Sequence, residues 1–107
     1  MQLAAPGFFL LPYSVIEFAY DLLSVEPEDL AAAALAAQRL ARRMKERLGA
    51  DGVNLLNSCG AVAFQTVFHF HIHVIPRYEG DSLRLPWVPA AGDPQEIAAA
   101  AQELGPA

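Results

Sequence analysis

The chain has 107 residues, 54% of them apolar, and a formal net charge of −5. That length suits one domain spanning residues 1–107, with a single core near the size at which a second subunit often supplies part of the burial. The apolar share argues against disorder, and the net acidity argues against a nucleic-acid backbone as the main partner, because such binding rests on basic patches and counterion release. The single cysteine, Cys59, excludes an internal disulfide and any Cys-x-x-Cys metal motif, and it suits a reducing compartment such as the cytoplasm. The apolar stretch 8–23 is interrupted by Pro12, Glu17 and Asp21 with no basic leader before it, so neither a signal peptide nor a membrane-spanning segment is expected.

The first well-marked element is a helix over residues 27–48. Pro27 suits the first helical position, Glu28 and Asp29 complement the positive pole in the first turn, and Gly49 supplies the stop. Leu30, Ala33, Ala34, Ala37, Leu40, Ala41, Met44 and Leu48 recur at helical spacing and form its apolar stripe. The basic residues between Arg39 and Arg47 fall on the remaining surface and read as a solvated face. Residues 53–57 make a short strand after the Gly49-Ala50-Asp51-Gly52 turn, and residues 58–61 make a loop.

Residues 66–75 then alternate in the period-two pattern of a strand, rich in β-branched and aromatic side chains. The alternation points Phe68, Phe70, Ile72 and Val74 into a core and sets Gln65, His69, His71 and His73 on the other face. These three are all the histidines of the chain. The two strands are expected to pair antiparallel, with Pro76 closing the second. Residues 77–82 read as a polar loop and residues 83–94, with three prolines and a glycine, as an extended tail before a short helix over 94–104.

Three imidazoles on one strand face allow three chemistries. As metal ligands they need a completing histidine or carboxylate, and the sequence offers no motif partner. As a polar surface they need nothing. As a nucleophile with helpers they need one ring held in one tautomer, donors for a developing charge and a proton route to the leaving group. The Gln65 amide and the backbone amides near Gly60 and at Gln65-Thr66 are candidates for the donors.

Asn57-Ser58-Cys59-Gly60, followed by Gln65-Thr66-Val67-Phe68-His69-Phe70-His71-Ile72-His73-Val74-Ile75-Pro76-Arg77, resembles the signature of the histidine triad (HIT) superfamily. The helix, the turn before residue 53 and Leu85-Pro86-Trp87 are also similar to bacterial members, so the likeness covers about residues 21–104. It implies an α+β fold in which an antiparallel sheet carries the triad, one long helix packs on the sheet and a tail or helix ends the chain. It implies a homodimer, a small-molecule nucleotide as substrate, and no required cofactor or metal.

The resemblance further implies that His71 attacks the α-phosphorus and forms a covalent nucleotidyl-histidine. His73 would contact phosphate oxygens and assist the leaving group, and His69 would support the hydrogen-bond network. Gln65 and Thr66 match positions that hold the phosphates, with Asn57, Ser58 and Gly60 completing the substrate loop. The reading is a hydrolase of nucleoside phosphoramidates or dinucleoside polyphosphates; the alternative is a nucleotide-binding or interaction protein with weak or lost catalysis. The N-terminus departs from the family pattern. Only Pro6-Gly7 and Phe9-Leu10-Leu11-Pro12 match its first conserved stretch, and Tyr13, Ser14 and Val15 stand where basic and histidine residues are usual. The family's first hairpin is therefore expected to be missing, leaving residues 8–11 without a strand to pair with.

Overall fold

The structure, a computed structural model, describes residues 2–5, 8–12 and 20–107. Two strands come first. β1 (Gln2–Ala5) and β2 (Phe8–Pro12) pair antiparallel, with Gln2 opposite Leu10 and Leu3 opposite Phe9. This corrects the expectation of unpartnered residues at 8–11. Gln2, Leu3, Ala4 and Ala5 include no β-branched or aromatic residue, so local composition gave no strand signal. Pro6, Gly7, Tyr13, Ser14 and Val15 lie outside the described residues.

Helix α1 spans Pro27–Leu48, as predicted. Pro27 sits at its start, where the missing N–H removes no helical bond, and Gly49 ends it at φ +65° with its N–H on the Met44 carbonyl. Ala33, Ala37 and Met44 are buried, with Leu30, Leu40 and Ala41 packed beside them. Ala34 and Leu48 do not join this stripe and are exposed. Ala34 lies at the rim of the buried arc, and Leu48 falls in the last turn beside Gly49.

Past the Gly49 turn, β3 (Gly52–Leu56) pairs antiparallel with β4 (His71–Arg77), and the sheet order is β1-β2-β4-β3. The histidine strand is thus an inner strand, held by β2 on one side and β3 on the other. One cluster joins Val74 to Ala37, Met44 and Ala50, with Val53 and Ile72 packed against it. A second joins Phe70 to Ala33, with Val25, Leu30 and Ile72 around them. Phe70, Ile72 and Val74 therefore face α1, and the odd positions of β4 face away. Burying Phe70 stabilises the fold by roughly 1.5–3 kcal/mol by the usual transfer figure.

Both ends of β4 differ from the sequence reading. The strand begins at His71, because residues 66–70 stay out of the ladder and the chain bends at 67–69. Phe68 accordingly leaves the core; it is 38% exposed and stacks on Tyr20 with ring centroids 5.0 Å apart. At the other end the ladder continues past Pro76 to Arg77, whose carbonyl accepts from the Asp51 N–H at 2.9 Å.

Helix α2 spans Pro94–Leu104, again as predicted, with the Asp93 carboxylate accepting from the Gln95 N–H at 2.8 Å. Residues 82–107 are exposed throughout. Among the described residues no helix is long and apolar enough to cross a membrane.

Candidate active site

His71 and His73 both project from the face of β4 opposite α1. Their registers fix them firmly: Leu56 of β3 and Leu10 of β2 flank His73, and Pro12 flanks His71. The Asn57 side-chain amide donates to the His71 carbonyl at 2.9 Å, tying the end of β3 to the first residue of β4. His71 is buried and His73 half-buried.

The two rings meet edge to face with centroids 4.8 Å apart, and their Nε2 atoms are 3.1 Å apart. His71 Nδ1 lies 2.7 Å from the His69 carbonyl oxygen. A carbonyl only accepts, so Nδ1 of His71 carries a proton. In neutral His71 the lone pair is then on Nε2, the atom that faces His73, and His73 Nε2–H donates to it. Burial holds the His73 pKa below the ordinary histidine value, and the neighbouring His71 pushes it the same way.

His69 does not share a strand face with the other two. It precedes β4, and its backbone carbonyl is the group that reaches His71. Gln65 is also off the strand. Its side chain is only 4% exposed, and its amide is engaged by the chain itself. Oε1 accepts from the Gly60 N–H at 2.8 Å, while Nε2 donates to the carbonyls of Tyr20 at 3.1 Å and Val67 at 3.2 Å. The Gly60 N–H is thereby occupied. The Ser58 and Thr66 hydroxyls make no hydrogen bond among the described residues, and Thr66 is exposed.

The loop from 57 to 65 gets its shape from a 3-10 turn, Ala61–Ala63, between Gly60 at φ +95° and Phe64 at φ +69°. Phe64 is a non-glycine residue in the left-handed region, a conformation that costs on the order of 1 kcal/mol or more. Reciprocal bonds hold it: Ala63 N–H and Gln65 N–H both reach the Gly60 carbonyl, and Phe64 N–H reaches Ala61. Beyond this loop lies a groove of about 490 Å³, lined by Leu56, Asn57, Ser58, Phe64 and Trp87 among others.

Sequence reasoning missed Tyr20, which contributes a backbone carbonyl to Gln65 and a ring to Phe68. Any residue type offers that carbonyl, so no local signal marked it. It also missed the work of Arg77, whose guanidinium binds both Asp81 oxygens, at 2.8 and 2.7 Å, as well as Asn54 Oδ1 at 2.8 Å. The paired guanidinium holds the Asp81 carboxyl well below the usual range. This brings the segment after β4 back across the end of β3.

An α+β domain with an inner strand carrying paired imidazoles, one helix behind it and a glycine-bounded loop in front defines a class that likeness to known proteins makes specific. The model of the HIT domain family matches residues 2–80, and the chain belongs to that family. It is 41% identical over 61 residues to an HIT-like protein of Mycoplasma genitalium, covering 57% of this chain and 43% of that one. It is 38% identical over 77 residues to a bis(5'-adenosyl)-triphosphatase of Dictyostelium discoideum, covering 71% of this chain and 50% of that one. A solved structure of a zinc-bound histidine triad family protein from Mycobacterium smegmatis superposes with a TM-score of 0.65 at 41% identity, covering 80% of this chain and 61% of that one. The chain spans half or less of the length of these two curated relatives.

Proposed function

We propose that this chain is a nucleotidyl hydrolase of nucleoside phosphoramidates or dinucleoside polyphosphates, working through a covalent nucleotidyl-histidine at His71. The observation that carries the reading is the paired restraint on His71: Nδ1–H on the His69 carbonyl, and the Nε2 lone pair turned towards His73 Nε2. A nucleophilic imidazole needs this tautomer, because the attacking nitrogen must keep its lone pair while the other nitrogen sheds charge into an acceptor.

In the first step His71 Nε2 attacks the α-phosphorus. A nitrogen–phosphorus bond forms, and the bond to the leaving amine or phosphate breaks as that group takes a proton. Water then attacks the same phosphorus, the histidine leaves with its lone pair restored, and a nucleoside monophosphate is released. His73 is the helper. Burial disfavours its imidazolium in the free chain, but an anionic phosphate placed against Nε2 favours the charged form, which donates to phosphate oxygen and supplies the proton for the leaving group. Ser58 and Thr66 offer hydroxyls to the phosphate. Among the described residues no group of three or more His, Cys, Asp or Glu side chains comes together to hold an ion. The zinc is a property of the mycobacterial neighbour.

The reading includes assembly as a homodimer in the cytoplasm. Among the described residues β3 is one of the two outer strands of the sheet, with Leu55 53% exposed, and such an edge is a surface for pairing. The related triphosphatase of Dictyostelium supports the polyphosphate half of the substrate range. Mass spectrometry of the protein mixed rapidly with an adenosine phosphoramidate tests the chemistry: an added adenylyl mass on the peptide carrying His71 is expected. Turnover with no such adduct, and no dependence on His71, refutes it.

A further inference from the structure

The side-chain amide of Gln65 is bonded to the chain's own backbone at both its oxygen and its nitrogen. It is a neutral amide, 96% buried, whose oxygen and nitrogen are bonded to three backbone groups from three different places in the chain. One is Gly60, at the mouth of the loop. Another is Tyr20, immediately before the segment that leads into α1. The third is Val67, two residues before His69. An amide engaged in this way has donors with no spare hydrogen for a ligand unless one of those bonds breaks.

We infer that Gln65 is a positioning residue for His71, acting through the carbonyl of His69. The chain of contacts is continuous. Gln65 Nε2 holds the Val67 carbonyl at 3.2 Å and the Tyr20 carbonyl at 3.1 Å, which brings residues 67–69 against residue 20. The Tyr20 and Phe68 rings stack at 5.0 Å across the same junction. So fixed, the bend after Val67 presents the His69 carbonyl to His71 Nδ1 at 2.7 Å. From the loop side, Oε1 takes the Gly60 N–H while Gln65 N–H takes the Gly60 carbonyl at 3.1 Å, closing a ring that keeps Gly60 and Gln65 in step. Release the clamp and the bend relaxes towards the extended strand that the alternating sequence favours. The His69 carbonyl then turns away from Nδ1, and the His71 proton is no longer confined to that nitrogen.

This rests on His71 as the nucleophile, but its test is separable. Nitrogen-15 spectra of labelled histidine report which ring nitrogen of His71 is protonated, with or without turnover. In the unaltered chain His71 is expected to show Nδ1–H, and the Gln65 side-chain amide hydrogens are expected to exchange slowly with solvent. In Gln65→Met, similar in size but unable to bond, the Nδ1–H form is expected to give way to a mixture. Against an adenosine phosphoramidate, kcat should fall about tenfold or more while KM changes by less than about threefold, the pattern of a lost transition-state contribution. Gln65→Glu keeps the acceptor for Gly60 but has no amide hydrogens for the Tyr20 and Val67 carbonyls, so it should recover little of kcat and show the same mixed tautomer. A raised KM with kcat and the His71 tautomer unchanged, the signature of a phosphate ligand, overturns the inference. So does rapid exchange of the Gln65 amide in the unaltered chain, a measurement that needs no variant to fold. If His71 carries no adduct and yet the tautomer shifts in Gln65→Met, the clamp stands and only the nucleophile reading fails.

Discussion

Residues 57–77 and residues 83–107 are neighbours in sequence and opposites in physics. The first stretch is polar where it matters, and its polar groups are turned inward: Gln65 on three backbone groups, Asn57 on the His71 carbonyl, His71 on the His69 carbonyl. The second is mostly alanine, proline and leucine, yet from residue 82 onward it is exposed throughout. Apolar residues make up about half of each stretch, so their share alone does not separate the two. Burial here follows connection: a helix and two flanking strands surround the histidine strand, whereas α2 satisfies its own backbone and makes small demands on the rest.

The sharpest way to break the comparison is to remove the group on which the first region converges. His71→Ala should lower turnover of an adenosine phosphoramidate by roughly three orders of magnitude or more, as loss of a covalent nucleophile does, with circular dichroism unchanged. His73→Ala should cost less, about a hundredfold, since it removes charge stabilisation and leaves the attacking nitrogen. Activity of His71→Ala within a few-fold of the parent would mean that the polar connections around it serve only the fold.

Next in size is the core beneath the site. Phe70 is 1% exposed and packs on Ala33 with Leu30 and Ile72 around it. Phe70→Ala should destabilise the protein by about 3–5 kcal/mol in urea unfolding. A loss under 1 kcal/mol would show that the two faces of β4 are wrongly assigned.

His73 gives a smaller effect with a definite sign. Its folded pKa lies below the ordinary 6.5, first through burial and second through His71. The unfolded chain therefore binds its proton at a higher pH than the folded chain does, and stability rises with pH wherever the unfolded state holds more protons. Stability should be fullest above pH 6.5 and should fall as pH drops through that value to the folded pKa. His73→Gln should flatten this part of the profile in thermal melts between pH 7.5 and 5. An unchanged slope would remove His73 as its source.

The elements were legible in proportion to how local their causes are. Both helices matched their predicted bounds, because Pro27, Gly49 and Pro94 act on their own backbone. The pairing of β3 with β4 followed from alternation and turn residues, and the α+β class from the family resemblance. The start of β4 was not legible. Residues 66–70 alternate as well as residues 71–75 do, and the Gln65 amide just before them is bonded to a carbonyl 45 residues earlier, a contact that no local pattern marks. The same long reach hid Tyr20. β1 was missed for the converse reason, since tertiary pairing with β2 makes a strand of residues with little preference for one. Within the site, type and spacing marked His69, His71 and His73 alike, and only the family resemblance set His71 and His73 apart. That His69 serves through its carbonyl was beyond it, because a backbone group leaves no mark on residue identity.

The smallest effect belongs to the far end of the second region. Ile97 and Leu104 are the large apolar residues of α2, 60% and 84% exposed. Ile97 leans back over Gly92, and little else in the described residues shields either. With so little area removed from water, Leu104→Ser should change the urea midpoint by less than about 0.5 kcal/mol, the ordinary range for surface positions. Asp93→Ala should behave differently in kind. It removes the carboxylate that takes the Gln95 N–H, a cap typically worth about 1 kcal/mol to its helix. If α2 stands apart from the body, that loss frays the helix and lowers helical dichroism while the global midpoint and the turnover of the phosphoramidate stay where they were. A midpoint shift as large as the cap itself would show that α2 unfolds together with the histidine strand, and the two regions would then be one cooperative unit despite their unequal burial.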